Sequence, residues 1–171
     1  NENIDKNRVQ LWEMAKIVGN YFEFVNKPVI VSNACISGLL AIIIGARLIK
    51  SSKYENVIVC GADVLSKFVV SGFQSFKSLA TSPCKPFDKN RDGLTLGEGA
   101  GALLLSSINH NSNNIIYNSG ASSNDANHIS GPSPTGEGLF IAIDKALNET
   151  DNNKIDVPKS VFRNKIDCIS A

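Results

Sequence analysis

Apolar positions at Val9, Leu11, Trp12, Ala15, Ile17 and Val18 recur with an imperfect helical period, which predicts a helix over residues 7–24. Lys27-Pro28 then opens the β-branched run Val29-Ile30-Val31, which reads as a buried strand. Beyond it, Ile36, Leu39, Leu40, Ala41, Ile42, Ile43, Ile44, Ala46, Leu48 and Ile49 cover nearly every face of a helix over 36–51. A helix apolar all round belongs inside a protein or a membrane. The run 39–44 is soon broken by Arg47. A membrane span needs roughly 20 apolar residues, so a protein interior is expected.

A second strand is expected at 56–60, ending in Gly61-Ala62-Asp63. Residues 64–82 are expected to be helical and loop-like, with Phe68, Phe73 and Phe76 available for packing. Turns are expected at 82–88. Strand pieces at 94–96 and 102–105 flank a glycine-rich stretch, an asparagine-rich surface turn falls at 109–114, and another strand at 115–119. A polar loop at 122–136 leads into a helix over 137–147. A polar linker at 148–165 and a strand start at 166–169 close the chain. Strands alternating with helices favour an α/β layered fold with much parallel pairing.

Composition narrows the function classes. With 43% hydrophobic residues, a net charge of +1 and 171 residues, the chain is globular, long enough for one core, and carries no basic run. Neither nucleic acid nor an anionic membrane is expected as a partner. The polar N-terminus lacks the apolar stretch of a signal peptide. Cys35, Cys60, Cys84 and Cys168 form no C-x-x-C pair, zinc spacing or dense disulfide framework. A reducing cytoplasm is the expected compartment, so the Asn148-Glu149-Thr150 sequon carries no weight.

Cys35 stands between the expected strand and the expected buried helix. The first turn of a helix presents unpaired N–H groups and a partial positive charge, which favour a thiolate and an oxyanion on an attached carbonyl. The bland alternative is a small buried thiol, and position alone does not overturn it. The other three cysteines read as structural.

The surrounding strings do overturn it. Val31-Ser32-Asn33-Ala34-Cys35-Ile36-Ser37-Gly38 resembles the nucleophile segment of β-ketoacyl synthases. The stretch Pro86-Phe87-Asp88-Lys89-Asn90-Arg91-Asp92-Gly93-Leu94-Thr95-Leu96-Gly97-Glu98-Gly99-Ala100-Gly101 resembles the same family's long signature. Val59-Cys60-Gly61-Ala62-Asp63, Gly72-Phe73 and Ser123-Asn124-Asp125-Ala126-Asn127-His128 also fit, in the family's order.

The resemblance implies a thiolase-like αβα-layered fold and a dimer, homomeric or heteromeric. It implies decarboxylative Claisen condensation, with no metal or cofactor. Cys35 would take an acyl group from acyl carrier protein or coenzyme A, its N–H would form one arm of the oxyanion hole, and a malonyl phosphopantetheine thioester would supply the carbanion. Phe73 matches a position beside the acyl pocket, although a phenylalanine in an apolar segment is also plain core. His128, Ser130 and Pro132 match the tunnel entrance. His110, among asparagines, reads as a solvated loop residue.

Of the family's two catalytic histidines, both from its later half, the first is expected in a His-Gly-Thr motif just after Ala171 and the second farther on. The whole chain, 1–171, is therefore expected to be an incomplete N-terminal domain, the second part of the N-terminal half, and inactive alone. Ile36 is bulkier than the family's usual residue after the nucleophile.

Two further expectations concern the signature. Gly97, Gly99 and Gly101 lack the lysine of a phosphate loop and suit close backbone packing near a strand. Asp88, Arg91, Asp92 and Glu98 are expected to form buried pairs. The alternatives to a synthase are another acyltransferase of the thiolase superfamily, a non-catalytic partner subunit, against which Cys35 argues, and an interaction module without chemistry.

Overall fold

The computed structural model describes residues 10–108, 115–127 and 131–149. Its elements are α1 (Leu11–Tyr21), α2 (Ser37–Lys50), β1 (Asn56–Asp63), α3 (Lys67–Ser75), β2 (Gly99–Ser106) and α4 (Glu137–Glu149). They fall into two compact units, Asn1–Ile42 and Ile43–Ala171, with the boundary inside α2. The turn expected at 109–114 and the strand expected at 166–169 lie outside the described residues. So does the linker expected at 148–165, apart from 148 and 149, which extend α4.

In the first unit, α1 starts after Gln10, whose φ of −82° and ψ of 127° are extended. It stops where Glu23 turns left-handed at φ 55°, while the Phe24 N–H folds back onto the Gly19 carbonyl at 2.8 Å. A left-handed residue just past the last turn is a common helix terminator. Leu11, Trp12, Met14 and Ile17 remain exposed, and only Gly19 is buried. Residues 29–31 form no strand, which corrects the pattern reading. Val29 and Ile30 are exposed, and no described residue offers this run a ladder. A β-branched run becomes a strand only when a neighbour takes its backbone hydrogen bonds.

The second unit is organised on β1 and β2, which pair from Asn56↔Ser106 through Cys60↔Ala102 to Asp63↔Gly99. The pairing is antiparallel, so the expectation of parallel strands fails for the one sheet among the described residues. Its long crossover, carrying α3, returns the chain in the opposite direction. Side chains alternate along β1, with Val57 and Val59 half-buried and Ile58 exposed. The half-buried pair faces α2 at Gly45. A Cβ at Gly45 would lie 3.0 Å from Leu105, 3.2 Å from Val57 and 3.3 Å from Val59, so the missing side chain lets the helix close on the ladder.

Ile43, 3% exposed, is the core hydrophobe of the described residues. Gly120 covers it so closely that a Cβ there would lie 2.8 Å from its Cγ1. The Ser119 hydroxyl anchors this covering segment by donating to the Ala146 carbonyl of α4 at 2.5 Å. The segment runs without strand pairing, and Ile115 and Ile116 are exposed, so the strand expected at 115–119 is absent.

The helix expected over 36–51 is observed as α2, but its apolar circumference is only partly covered, with Leu39 exposed. Of the strand expected at 94–96, Leu94 alone pairs, in a single bridge to Leu79. β2 begins instead at Gly99, inside the glycine-rich stretch. Gly97, Gly99 and Gly101 have open space where a Cβ would stand, so they are not close-packing glycines here.

Candidate active site

Cys35 occupies a tight turn that feeds α2. Ala34 before it has φ 45°, a left-handed conformation that costs a residue with a Cβ roughly 1–2 kcal/mol. The Ile36 and Ser37 N–H groups donate to the Asn33 and Ala34 carbonyls, both at 3.2 Å, and the Leu40 N–H donates to the Ile36 carbonyl at 2.8 Å. The Ser37 hydroxyl accepts from the Asn33 N–H at 2.7 Å and donates to the Ala34 carbonyl at 2.7 Å. Cys35 thus rides a braced turn immediately before the N-terminus of α2, and its thiol is free and exposed. The expected placement at a helix start holds. The buried surroundings do not, because the preceding run is unpaired.

The glycine-rich signature forms a self-braced loop in the second unit. Leu94 donates to the Ser78 carbonyl at 2.8 Å and accepts from the Ala80 N–H at 2.9 Å. Gly93 makes this possible. At φ 155°, a Cβ there would lie 2.5 Å from the Ala80 nitrogen and 2.6 Å from the Leu79 carbonyl carbon.

Around this crossing, polar side chains hold backbone groups. Asp92 accepts from the Thr81 N–H at 3.1 Å and from its hydroxyl at 2.7 Å. The Thr95 hydroxyl accepts from the Cys84 N–H at 2.9 Å, and Glu98 from the Leu65 N–H at 2.7 Å. Asp88 accepts from the Asn90 N–H at 2.6 Å, while the Arg91 guanidinium donates to the Asp88 carbonyl at 2.9 Å. The expectation of buried charge pairs is therefore corrected. Asp88, Arg91, Asp92 and Glu98 are exposed and serve backbone groups. Hydrogen bonds from the Thr81 hydroxyl, then from its N–H, hold the Asp92 carboxyl below its ordinary pKa. A carboxylate that accepts two donors is favoured in its charged form.

Phe73 is half-buried on α3, and its carbonyl accepts from the Ser78 N–H at 3.0 Å. Ser66 caps this helix, its hydroxyl accepting from the Val69 N–H at 3.2 Å. Pro132 is exposed in the loop before α4. Asp125 pins that loop by accepting from the Ser133 N–H at 2.8 Å, and Ser123 donates to the Gly138 carbonyl. A Cβ at Gly138 would collide with the Asp125 carboxylate, so the glycine admits a negative charge at the start of α4. His128 and Ser130 lie outside the described residues, as do His110 and Cys168. Cys35 belongs to the first unit and Phe73 and Pro132 to the second, and each is placed within its own unit.

Cys60 is exposed and Cys84 half-buried, both as free thiols. Cys84, Lys85, Pro86, Phe87, Arg91, Gly93 and Leu94 line a cavity of about 510 Å³ that includes none of the expected site residues. No described helix is long and apolar enough to cross a membrane.

Comparison with known proteins places this arrangement. The profile described as beta-ketoacyl synthase, N-terminal domain, matches residues 10–111, more than half of the chain. The chain belongs to the β-ketoacyl synthase family, a family of acyltransferases with the thiolase-like fold. It is 32% identical to the chloroplastic 3-oxoacyl-[acyl-carrier-protein] synthase II of Arabidopsis thaliana, over 68% of this chain and 24% of that one. The 3-oxoacyl-[acyl-carrier-protein] synthase 2 of Staphylococcus aureus is 29% identical over 72% of this chain and 34% of its own length.

Among solved structures, a chain of the complex between the ketosynthase ApeO and its chain length factor ApeC from Xenorhabdus doucetiae superposes with a TM-score of 0.74 at 36% identity. That match covers 82% of this chain and 35% of the matched one. The chain thus spans about a quarter to a third of the curated relatives it matches. The described part is correspondingly a partial, mixed α/β version of the thiolase-like fold.

Proposed function

We propose that the protein carrying this chain is a β-ketoacyl synthase that extends acyl chains by decarboxylative condensation, with Cys35 as its nucleophile. The observation that supports this most is the family match across both motifs, joined to the position of Cys35. Its thiol is free, exposed and seated two residues before the first residue of α2, on a turn braced from both sides.

In the first half-reaction the Cys35 thiolate attacks the carbonyl carbon of an acyl thioester, and the carbon–sulfur bond to the carrier breaks. The carrier sulfur leaves and takes a proton. In the second, a malonyl thioester loses CO₂, and the electron pair left on its α-carbon attacks the acyl-Cys35 carbonyl. A carbon–carbon bond forms and Cys35 departs as thiolate. Donors aimed at the developing oxyanion lower both barriers, and the Cys35 N–H is one such donor.

The acyl donor and the malonyl unit ride on the phosphopantetheine arm of acyl carrier protein, with Phe73 beside the acyl chain and His128, Ser130 and Pro132 at the tunnel entrance. The full-length protein works as a dimer in a reducing compartment, the cytoplasm. Carrier-dependent synthases among the relatives support the carrier, and the ketosynthase–chain length factor complex among the neighbours supports a paired assembly. The free thiol that the chemistry needs supports the compartment. The chain as it stands condenses nothing, because the family's decarboxylating histidines belong to the later half.

The deciding experiment assays condensation by the full-length protein and its Cys35→Ala variant. The variant is expected to lose condensation while keeping some malonyl decarboxylation. Normal condensation without Cys35 would end the assignment.

A further inference from the structure

We propose that Ser37 is a positioning residue for the Cys35 nucleophile, acting through the backbone of Asn33 and Ala34; this rests on the reading of Cys35 given above. Ser37 follows Cys35 by two residues, and its hydroxyl reaches back over it. One bond is accepted from the Asn33 N–H and one donated to the Ala34 carbonyl, each at 2.7 Å. The hydroxyl's only proton is committed, so Ser37 has none to give to a substrate.

Ala34 lies between those two contacts at φ 45°. A residue with a Cβ persists in that region only when its surroundings over-determine it. The Ser37 N–H bond to the Ala34 carbonyl and the Ile36 N–H bond to the Asn33 carbonyl supply part of that determination. The hydroxyl clamp supplies the rest from the side-chain direction.

The Ala34 torsions aim everything that follows. If φ of Ala34 relaxes to its ordinary negative value, the Cys35 Cα–Cβ bond and the Cys35 N–H swing together, carrying the nucleophile and an oxyanion donor off line at once. A merely structural serine would stabilise the start of α2 and leave the rate of the folded enzyme unchanged. A positioning serine changes the rate constant of acylation while leaving substrate affinity in place.

The test uses the full-length enzyme and three variants, Ser37→Ala, Ser37→Thr and the double variant Ala34→Gly/Ser37→Ala. Each is assayed for the Cys35 acylation rate, kcat, KM and melting temperature. Ser37→Ala is expected to lower acylation and kcat roughly ten- to hundredfold, as small misplacements of a reacting group do, with KM nearly unchanged. Ser37→Thr keeps the hydroxyl and should stay within about threefold of the parent. The double variant should recover most of the loss, because glycine takes φ 45° without a clamp.

A folded Ser37→Ala enzyme with parental acylation overturns the proposal. So does a double variant that folds but stays slow, since Ser37 would then act by another route. If Ser37→Ala does not fold, the double variant decides in the same way, and failure of both to fold assigns Ser37 to folding and also overturns it. The Cys35→Ala control separates the two readings, because its normal condensation would remove the nucleophile itself whatever Ser37 does.

Discussion

At the scale of single residues, the polar members of the long signature act on backbone amides. Asp92 is the clearest case, because both donors of Thr81 converge on it. Its carboxyl is depressed below the ordinary value in the folded state. A depressed carboxylate contributes stability that is fully present above its unfolded pKa and is lost as pH falls through the folded one. Asp92→Asn is therefore expected to lower the melting temperature of the full-length protein at neutral pH. The gap between parent and variant should close on acidification below the carboxylate range. Thermal melts of both proteins across pH check this, and a gap that widened in acid would contradict it.

Gly93 permits no side chain for a different reason, since a Cβ there meets backbone that has no room to move. Gly93→Ala is expected to cost about 1–3 kcal/mol or more, the scale of enforced backbone strain, measurable by denaturant titration. Cys35 should also outpace Cys60 and Cys84 in brief iodoacetamide labelling read by mass spectrometry. Cys60 is exposed too, so preferential labelling of Cys60 would show that the helix-start position adds no reactivity.

At the scale of elements, legibility followed self-sufficiency. The helix pattern over 36–51 matches α2 within a residue, and the pattern over 7–24 contains α1, because a helix satisfies its own backbone. The run 29–31 has strand composition and no strand, because its partners must come from elsewhere. β2 was read too short at its start. Its first residues, Gly99-Ala100-Gly101, look like a loop by propensity but pair against Gly61, Ala62 and Asp63. The Thr81–Asp92 bonds span eleven positions, with no periodic mark in the sequence. Ser37 was visible only as part of a motif, since the bond that gives it meaning depends on the left-handed turn at Ala34.

The contact between α2 and the ladder also gives an element-scale expectation. Gly45→Val would drive two methyl groups into Leu105, Val57 and Val59, which already crowd the position. Overpacking of this kind costs about 1–3 kcal/mol, despite any gain in helix propensity. Gly45→Ala is the gentler control. Chemical denaturation of the full-length protein should rank parent and Gly45→Ala above Gly45→Val.

At the scale of the whole molecule, many large hydrophobic side chains of the described residues are exposed. Phe68, Phe87, Ile115 and Ile116 are among the exposed hydrophobes, and β1 and β2 have no outer neighbours among the described residues. Unpaired strand edges and contiguous apolar surface promote association. The isolated 171-residue chain is therefore expected to sediment as oligomers or aggregate, and a sharply melting monomer would refute this. The same chain is expected to acylate slowly at best from a reactive thioester and to yield no condensed product.

That Ile43 is the one large hydrophobe buried among the described residues has a calorimetric consequence. The heat capacity gained on unfolding comes mainly from apolar surface newly exposed to water, and the denaturant slope scales with the total surface exposed. Since Ile43 is the core hydrophobe of the described residues, unfolding the separated chain should reveal less new apolar surface than unfolding a domain with a closed core. Its thermogram should lack a distinct endotherm, its urea transition should be shallow, and its amide protons should exchange without a slow class. In the full-length protein, the amides of α2 around Ile43 and Gly45 should join the slowest-exchanging set.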